Sequence, residues 1–446
     1  MEPPVSLSTL IKTSAHNPVK TTKATTIKRK TPQEIQELYA KLKNTGPSYH
    51  TFTKHPHANQ DTEMEEEKGE PLKEFQFQSK PLQDLSAIDW NKITALSYSD
   101  SGTSGVYFAQ LEDNIAFVMK GSPDTAVEYF SSLLLQKLNV EAPKIRVLTW
   151  SEPEFEDMIE ILNKKTKSNY ILNVKINNSF NRPHIMIMEY KPILCVGRLG
   201  AERAGIALDP TKPEGQERLM SLGMMLGVDA FLNNVDRIPF MPDWKNDGAI
   251  ENIVIAVNSN EDKKAWERLD NLGIKYGGFV ALDTRPFLIN TSSAMGKKNA
   301  ETYKSNYRLV LQSIFEQIVQ VRDKEIDVKS LDCPRLAVAS KISKFIQEYT
   351  LYDVQTEGEF QILKGMARCF KQISSVESSD IQAIHEAVGK APKGDWMNIW
   401  KENYESLNME FLLELLEITK ECCAKYKGVI EWVEMSGNEE HISESK

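Results

Sequence analysis

Three polar residues in the second half of the chain could together move a phosphoryl group: Asp236, Asn252 and Asp283. Phosphoryl transfer asks a protein for positioning and charge rather than covalent work. It needs one carboxylate to orient the attacking hydroxyl, and a separate amide and carboxylate to hold a metal on the phosphates. Asp236 lies in Asn233-Asn-Val-Asp-Arg-Ile-Pro239. Asn252 opens the apolar run Asn252-Ile-Val-Ile-Ala-Val257, and Asp283 closes Gly278-Phe-Val-Ala-Leu-Asp283. Each has a plainer reading: Asn-Asn-x-Asp-Arg after a helix is often a polar C-terminal cap with a surface ion pair.

A second pair lies upstream. Lys120 ends the strand-like run Asn114-Ile-Ala-Phe-Val-Met-Lys120, and Glu128 falls in the second turn of the helix expected after it. A strand lysine paired with a glutamate of the following helix is one way to seat nucleotide phosphates. Taken singly, they read as a strand-end surface lysine and a solvated helix glutamate. Further upstream, Ser97-Tyr-Ser-Asp-Ser-Gly-Thr-Ser-Gly-Val-Tyr-Phe-Ala109 sets Gly102 and Gly105 in a small polar turn between strands. Glycine there lets backbone N–H groups approach a phosphate.

The elements that must position these residues are legible. Leu219, Leu222, Leu226 and Ala230 recur at helical spacing, and the helix they form is stopped by the asparagines and Pro239. Gly121-Ser-Pro-Asp124 supplies a cap, a first-turn proline and an acid for the helix carrying Glu128, which runs to about Leu138. Val140–Leu148 reads as a strand, and Ser151-Glu-Pro-Glu154 as a capping box opening a helix through Leu162. His184–Tyr190 is a buried strand that leads into Lys191-Pro192. Beyond Val196 the spacing is helical almost throughout, apart from the runs at Asn252 and Asp283.

Length and composition frame this pattern. The chain has 446 residues, 41% hydrophobic and 26% charged, as in an ordinary globular protein of one or two domains. A net charge of −9 argues against general nucleic-acid affinity. No apolar run reaches the length of a membrane span, and no signal-peptide core opens the chain, so a cytoplasmic protein is expected. The five cysteines show no metal-ligand spacing and read as reduced thiols. Residues 1–80 are expected to be a largely disordered tail, basic at Lys28-Arg-Lys30 and acidic at Glu65-Glu-Glu67, with a short amphipathic helix near 31–44. Its Leu42-Lys-Asn-Thr45 end faintly resembles the actin-binding element of thymosin-type proteins, with Asn44 in place of a lysine. Docking of that helix on its own domain is the preferred reading.

The order of glycine turn, strand lysine, helix glutamate, connecting strand, Asp-Arg loop, strand Asn and strand Asp is more specific than any member. With Val-Met-Lys-Gly-Ser, Asn-Asn-Val-Asp-Arg-Ile-Pro and Ala-Leu-Asp-Thr, the chain resembles the actin-fragmin kinase family over roughly residues 85–325. The resemblance implies an α+β, two-lobed, protein-kinase-like fold. Residues 81–192 would form a small lobe with an antiparallel sheet. Residues 193–446 would form a larger helical lobe, with a helical extension from about 325. It implies ATP and Mg2+ as cofactors and transfer of the γ-phosphoryl group to a Ser or Thr of a protein, with actin or an actin complex as the expected partner. Carried over, Gly102 and Gly105 lie over the phosphates. Lys120 contacts them and pairs with Glu128, and Asp236 is the catalytic base. Asn252 and Asp283 bind magnesium, and the backbone at Glu189 and Tyr190 meets the adenine.

Two departures matter. Residues 237–251 separate Asp236 from Asn252, which makes Asn246 a rival metal ligand. Asp283 is followed by Thr284-Arg285 rather than Phe-Gly, so a switch built on that motif is not expected. The alternatives are a phosphoinositide or other small-molecule kinase sharing the Asp-Arg order, and a catalytically weak nucleotide-binding scaffold.

Overall fold

Runs of β-branched, aromatic and aliphatic residues make the first half of the described chain a sheet. The computed structural model describes residues 72–446 other than 100–104, 259–274, 331–332, 393–396 and 444–446. Gly102 and the helix expected near 31–44 lie outside the described residues. The strands are β1 (Lys80–Pro81), β2 (Ala95–Ser99), β3 (Val106–Gln110), β4 (Ile115–Lys120), β5 (Ile145–Thr149) and β6 (His184–Glu189). They run β2-β3-β4-β6-β5 with antiparallel pairing throughout, while β1 adds a short parallel pairing at the start of β4.

Alternation along β4 sorts its side chains onto two faces. Phe117 and Met119 pack with Tyr107, Ile185 and Ile187 against helices α2 (Pro153–Thr166) and α3 (Tyr170–Phe180). Ala116 and Val118 face a smaller cluster with Phe75 and Tyr190. This cluster moves the expected domain boundary. Phe75 is buried, its ring packs on Phe77, Phe108 and Tyr190, and Lys73 N–H donates to the Thr94 carbonyl at 2.8 Å. Residues 72–80 therefore belong to the folded domain rather than to the tail assigned to 1–80.

Local outcomes differ in detail from expectation. Helix α1 (Thr125–Lys137) starts after Asp124, and Ser122 instead donates to Glu128. Helix α2 takes Glu152 as its cap with Pro153 in the first turn, and Glu154 turns away to Arg146, 3.0 Å distant. Helix α3 was not anticipated: its Ile, Val and Asn content disfavours helix. Leu172, Ile176 and Phe180, spaced by four, bury one face on the sheet and override that preference.

The second half is helical: α4 (Gly200–Ala207), α5 (Pro213–Leu232), α6 (Ala294–Arg322), α7 (Ala337–Thr350), α8 (Gln355–Ser374), α9 (Ser378–Lys390), α10 (Met397–Glu405), α11 (Met409–Lys425) and α12 (Lys427–Ser443). A second antiparallel sheet joins them, β7 (Ile193–Cys195), β8 (Ile253–Asn258) and β9 (Lys275–Ala281) in that order. The expected strand starting at Asn252 begins one residue later, since Ile250–Asn252 form a 3-10 turn.

Helix α5 is the centre of this half. Leu219, Leu222, Leu226 and Ala230 are fully buried, and so are Met225 and Val228 on other faces. Burying each large side chain contributes about 1.5–3 kcal/mol. Its main partner is α8, and the two backbones nearly touch. A Cβ on Gly223 would lie 2.0 Å from the Ile362 carbonyl oxygen, and one on Gly365 would lie 2.0 Å from that of Met220. The helices beyond about residue 325 are thus part of the core, not an appended extension. The C-terminal helices also reach α1: Lys137 pairs with Asp380 of α9 at 3.1 Å, and Val388 and Trp400 share its apolar core. All five cysteines are free, and no helix among the described residues is long and apolar enough to cross a membrane.

Candidate active site

The strand register places Gly105: Val106 stands opposite Lys120, so β3 begins, directly after Gly105, at the lysine end of β4. Gly105 there has φ +70°, and an added Cβ would meet the Tyr98 ring at 2.6 Å, so both conformation and space require glycine. Lys120 is itself buried and donates to Glu128 Oε2 of α1 at 2.8 Å. The same ammonium is hydrogen-bonded to Asp283, two residues beyond β9. Glu128 also accepts from Ser122 at 2.5 Å through its other oxygen. The surface-lysine reading is excluded, because three elements converge on one buried ammonium.

Charge follows this geometry. Burial works against the Lys120 ammonium, but Glu128 and Asp283 outweigh it and raise its pKa. Glu128, the more deeply buried acid, is pushed up by burial against the pull of Lys120. Burial also opposes the charged form of Asp283, but Lys120 overcomes it and holds that carboxyl low. Asp283 adopts φ +49°, a left-handed conformation that aspartate tolerates better than most residues and that clusters at functional sites.

At the other side, α5 ends because Asn233 turns left-handed (φ 52°, ψ 40°). Its side chain is held at both ends: it donates to the Phe287 carbonyl at 2.9 Å and accepts from the Trp244 indole at 2.8 Å. The chain then passes through Asp236, half-buried, whose carboxylate makes no hydrogen bond among the described residues. The neighbouring Asp229, Glu128 and Asp283 carboxylates are each committed to a cation. Asn252 donates through Nδ2 to the Asp236 carbonyl at 3.1 Å, and Asn246 likewise donates to the Val235 carbonyl.

The expectation of a surface ion pair in the Asp-Arg dipeptide is overturned. Arg237 is buried at 1% exposure and pairs not with Asp236 but with Asp229, one helical turn inside α5. Its remaining donors reach the Asn252 carbonyl at 3.2 Å, Thr284 Oγ1 at 2.7 Å and the Leu282 carbonyl. One guanidinium therefore fastens the Asp236 loop to the segments carrying Asn252 and Asp283. Asp229 is also bound by Asn234 at 2.7 Å, and burial raises its pKa. Sequence reasoning missed both residues. The signal was there: an aspartate inside an otherwise apolar helix must be buried, and a buried carboxylate needs a cation.

Glu189 and Tyr190 occupy the link between the sheets. Glu189 N–H donates to the Lys144 carbonyl at 2.9 Å, and its side chain pairs with Lys191 at 3.1 Å. Tyr190 is buried with Phe75 and Phe108, its hydroxyl donating to the Phe77 carbonyl at 2.7 Å. Neither side chain is aimed at a ligand; any role there falls to the backbone. A groove of about 870 Å³ between α6 and α11, lined by Lys304, Arg308, Glu414 and Glu421, shares no residue with this cluster.

A family model described as the actin-fragmin kinase catalytic domain matches residues 67–370, more than half of the chain. The chain belongs to the actin-fragmin kinase family. Three curated Dictyostelium discoideum proteins, each named "putative actin-fragmin kinase", are similar to it. One is 24% identical over 307 residues, covering 67% of this chain and 62% of that protein. A second is 22% identical over 347 residues, covering 75% of this chain and 73% of that protein. A third is 23% identical over 349 residues, with 74% and 73% covered. The family match begins at residue 67 and ends within α8, in keeping with a folded domain that includes 72–80 and the α5–α8 core.

Proposed function

We propose that this chain is an ATP- and magnesium-dependent protein kinase of two-lobed, protein-kinase-like architecture that phosphorylates Ser or Thr hydroxyls. The observation that carries the reading is the buried Lys120 shared by Glu128 and Asp283. A protein does not bury a lysine between two acids from different elements for stability alone, since such groups return little against their desolvation.

The residues fit the cofactors. Lys120 offers a fixed ammonium to the phosphates, and Gly105 directly precedes Val106, the residue opposite it. Asn252 gives its amide N–H to the Asp236 carbonyl, which leaves its oxygen available as a cation ligand. With Asp283 this makes one amide oxygen and one carboxylate, a donor set that suits Mg2+ completed by phosphate oxygens and water. Magnesium, when bound, supplies neutralisation of charge on the phosphates. The chain's own residues do the rest. Glu128 fixes Lys120, Arg237 holds the three polar segments in register, and the unpaired Asp236 orients the acceptor hydroxyl and takes its proton.

A protein substrate, and actin or an actin complex in particular, is proposed from the family and from the names of the relatives. The direct test incubates purified protein with labelled ATP and magnesium in an actin-containing extract and identifies what is labelled. Label on a Ser or Thr of actin supports the reading, and label only on phosphoinositides would replace it.

The two asparagines separate in a titration. Asn252→Ala is expected to raise the magnesium concentration needed for nucleotide binding severalfold, and Asn246→Ala to leave it near wild type. The reason is that Asn252 abuts Leu282 through the shared Arg237, whereas Asn246 is tied to Val235. Fluorescent-nucleotide binding against magnesium reads the difference, and a larger effect of Asn246→Ala would reverse the assignment.

A further inference from the structure

Arg285 stands two residues beyond Asp283, in the Thr284-Arg285 pair that takes the place of Phe-Gly. Its guanidinium lies 3.6 Å from Asp124 Oδ2 and 3.6 Å from Glu128 Oε1. Both separations are too long for hydrogen bonds. Its Nε is buried with no hydrogen-bond acceptor. The side chain as a whole is 26% exposed, so the group is neither sealed in the core nor spread on the surface. Four acids act on it: Glu128, Asp283 and Asp236 of the candidate site, and Asp124 at the start of α1.

A buried, charged N–H without an acceptor is costly, and such a donor in a native site calls for a missing partner. The partner must be an acceptor that enters from outside, next to Asp283 and Asp236. Arginine suits phosphate, because its planar fork gives parallel charge-assisted hydrogen bonds. Lys120 already serves the phosphates from the β4 side. Arg285 comes from the segment that follows β9, and its guanidinium lies against Asp124 and Glu128 at the start of α1, within electrostatic reach of Asp283 and Asp236.

We propose that Arg285 is a second phosphate-binding cation of this site, directed at the terminal phosphate of a nucleoside triphosphate. This rests on the kinase reading above. It assigns to the chain itself a positive charge over the transferring group, with Asp124 and Glu128 holding the guanidinium in place until the nucleotide arrives.

The test compares ATP with ADP, which differ only in that phosphate, by calorimetric titration with magnesium. Arg285→Met is expected to weaken ATP binding about tenfold or more while changing ADP binding little. Arg285→Lys, which keeps the charge but loses the fork, should fall between. Asp380→Asn breaks only the Lys137 pair that ties α1 to α9 and should leave the ATP-to-ADP ratio near wild type. If Arg285→Met weakens ATP and ADP equally, or Asp380→Asn reproduces its effect, Arg285 only anchors α1 and the inference is wrong. If the wild-type protein binds neither nucleotide, the kinase reading itself fails and this inference falls with it. Thermal unfolding of each variant identifies any that do not fold, and Arg285→Lys then carries the comparison.

Discussion

Asp236→Asn is expected to lower phosphoryl transfer by about a hundred- to ten-thousand-fold, the range that a positioned general base contributes. Nucleotide binding and thermal stability should stay near wild type. The structural reason is that the Asp236 carboxylate makes no ion pair or hydrogen bond among the described residues, so removing its charge breaks no direct contact there. Its backbone carbonyl, which holds Asn252, is retained in the variant. Transfer of labelled phosphate and fluorescent-nucleotide titration on the same preparation check both halves. A folded Asp236→Asn protein with unchanged turnover would remove the residue from the mechanism.

Arg237→Met should have the largest effect on stability, about 3–5 kcal/mol, because it strands the buried Asp229 without its cation. The loss should depend on pH in a definite sense. Burial already raises the Asp229 pKa, and without Arg237 it rises further above the unfolded value of about 3.9. A carboxyl that holds its proton more tightly in the folded state makes folding less favourable as pH rises through that window. The deficit of Arg237→Met should therefore be smaller near pH 5 than near pH 8, as read by urea unfolding. The double variant Asp229→Asn/Arg237→Met removes both charges and should recover much of the stability. It should not recover activity, since the carbonyls of Asn252 and Leu282 and the Thr284 hydroxyl still lack their common donor. A double variant that regains full turnover would show that Arg237 serves stability alone.

The amino-acid sequence by itself determined the local elements and the order of the polar residues along them. The apolar spacing of Leu219, Leu222, Leu226 and Ala230 required a buried helix. The asparagines and Pro239 after it required an end, because asparagine side chains compete for backbone hydrogen bonds and proline cannot continue a helix. The continuous apolar run to Lys120 required a strand presenting that lysine at its end. Helix α3 escaped because packing of Leu172, Ile176 and Phe180 outweighs local propensity, and propensity is all that a local reading weighs.

Tertiary structure alone decided which charges meet. The Lys120–Glu128 pair was legible in the strand-then-helix order, but nothing local says that the same ammonium would also take Asp283, 163 residues away. Nor does it say that Arg237 would bypass its neighbour Asp236 for Asp229. Those pairings are set by where desolvation is most costly. Asp229 lies inside the α5 core and must take the nearest guanidinium, which leaves the half-buried Asp236 carboxylate unclaimed among the described residues. Sequence order brought the right residue types into the chain, and burial decided which of them would be neutralised and which left free to act.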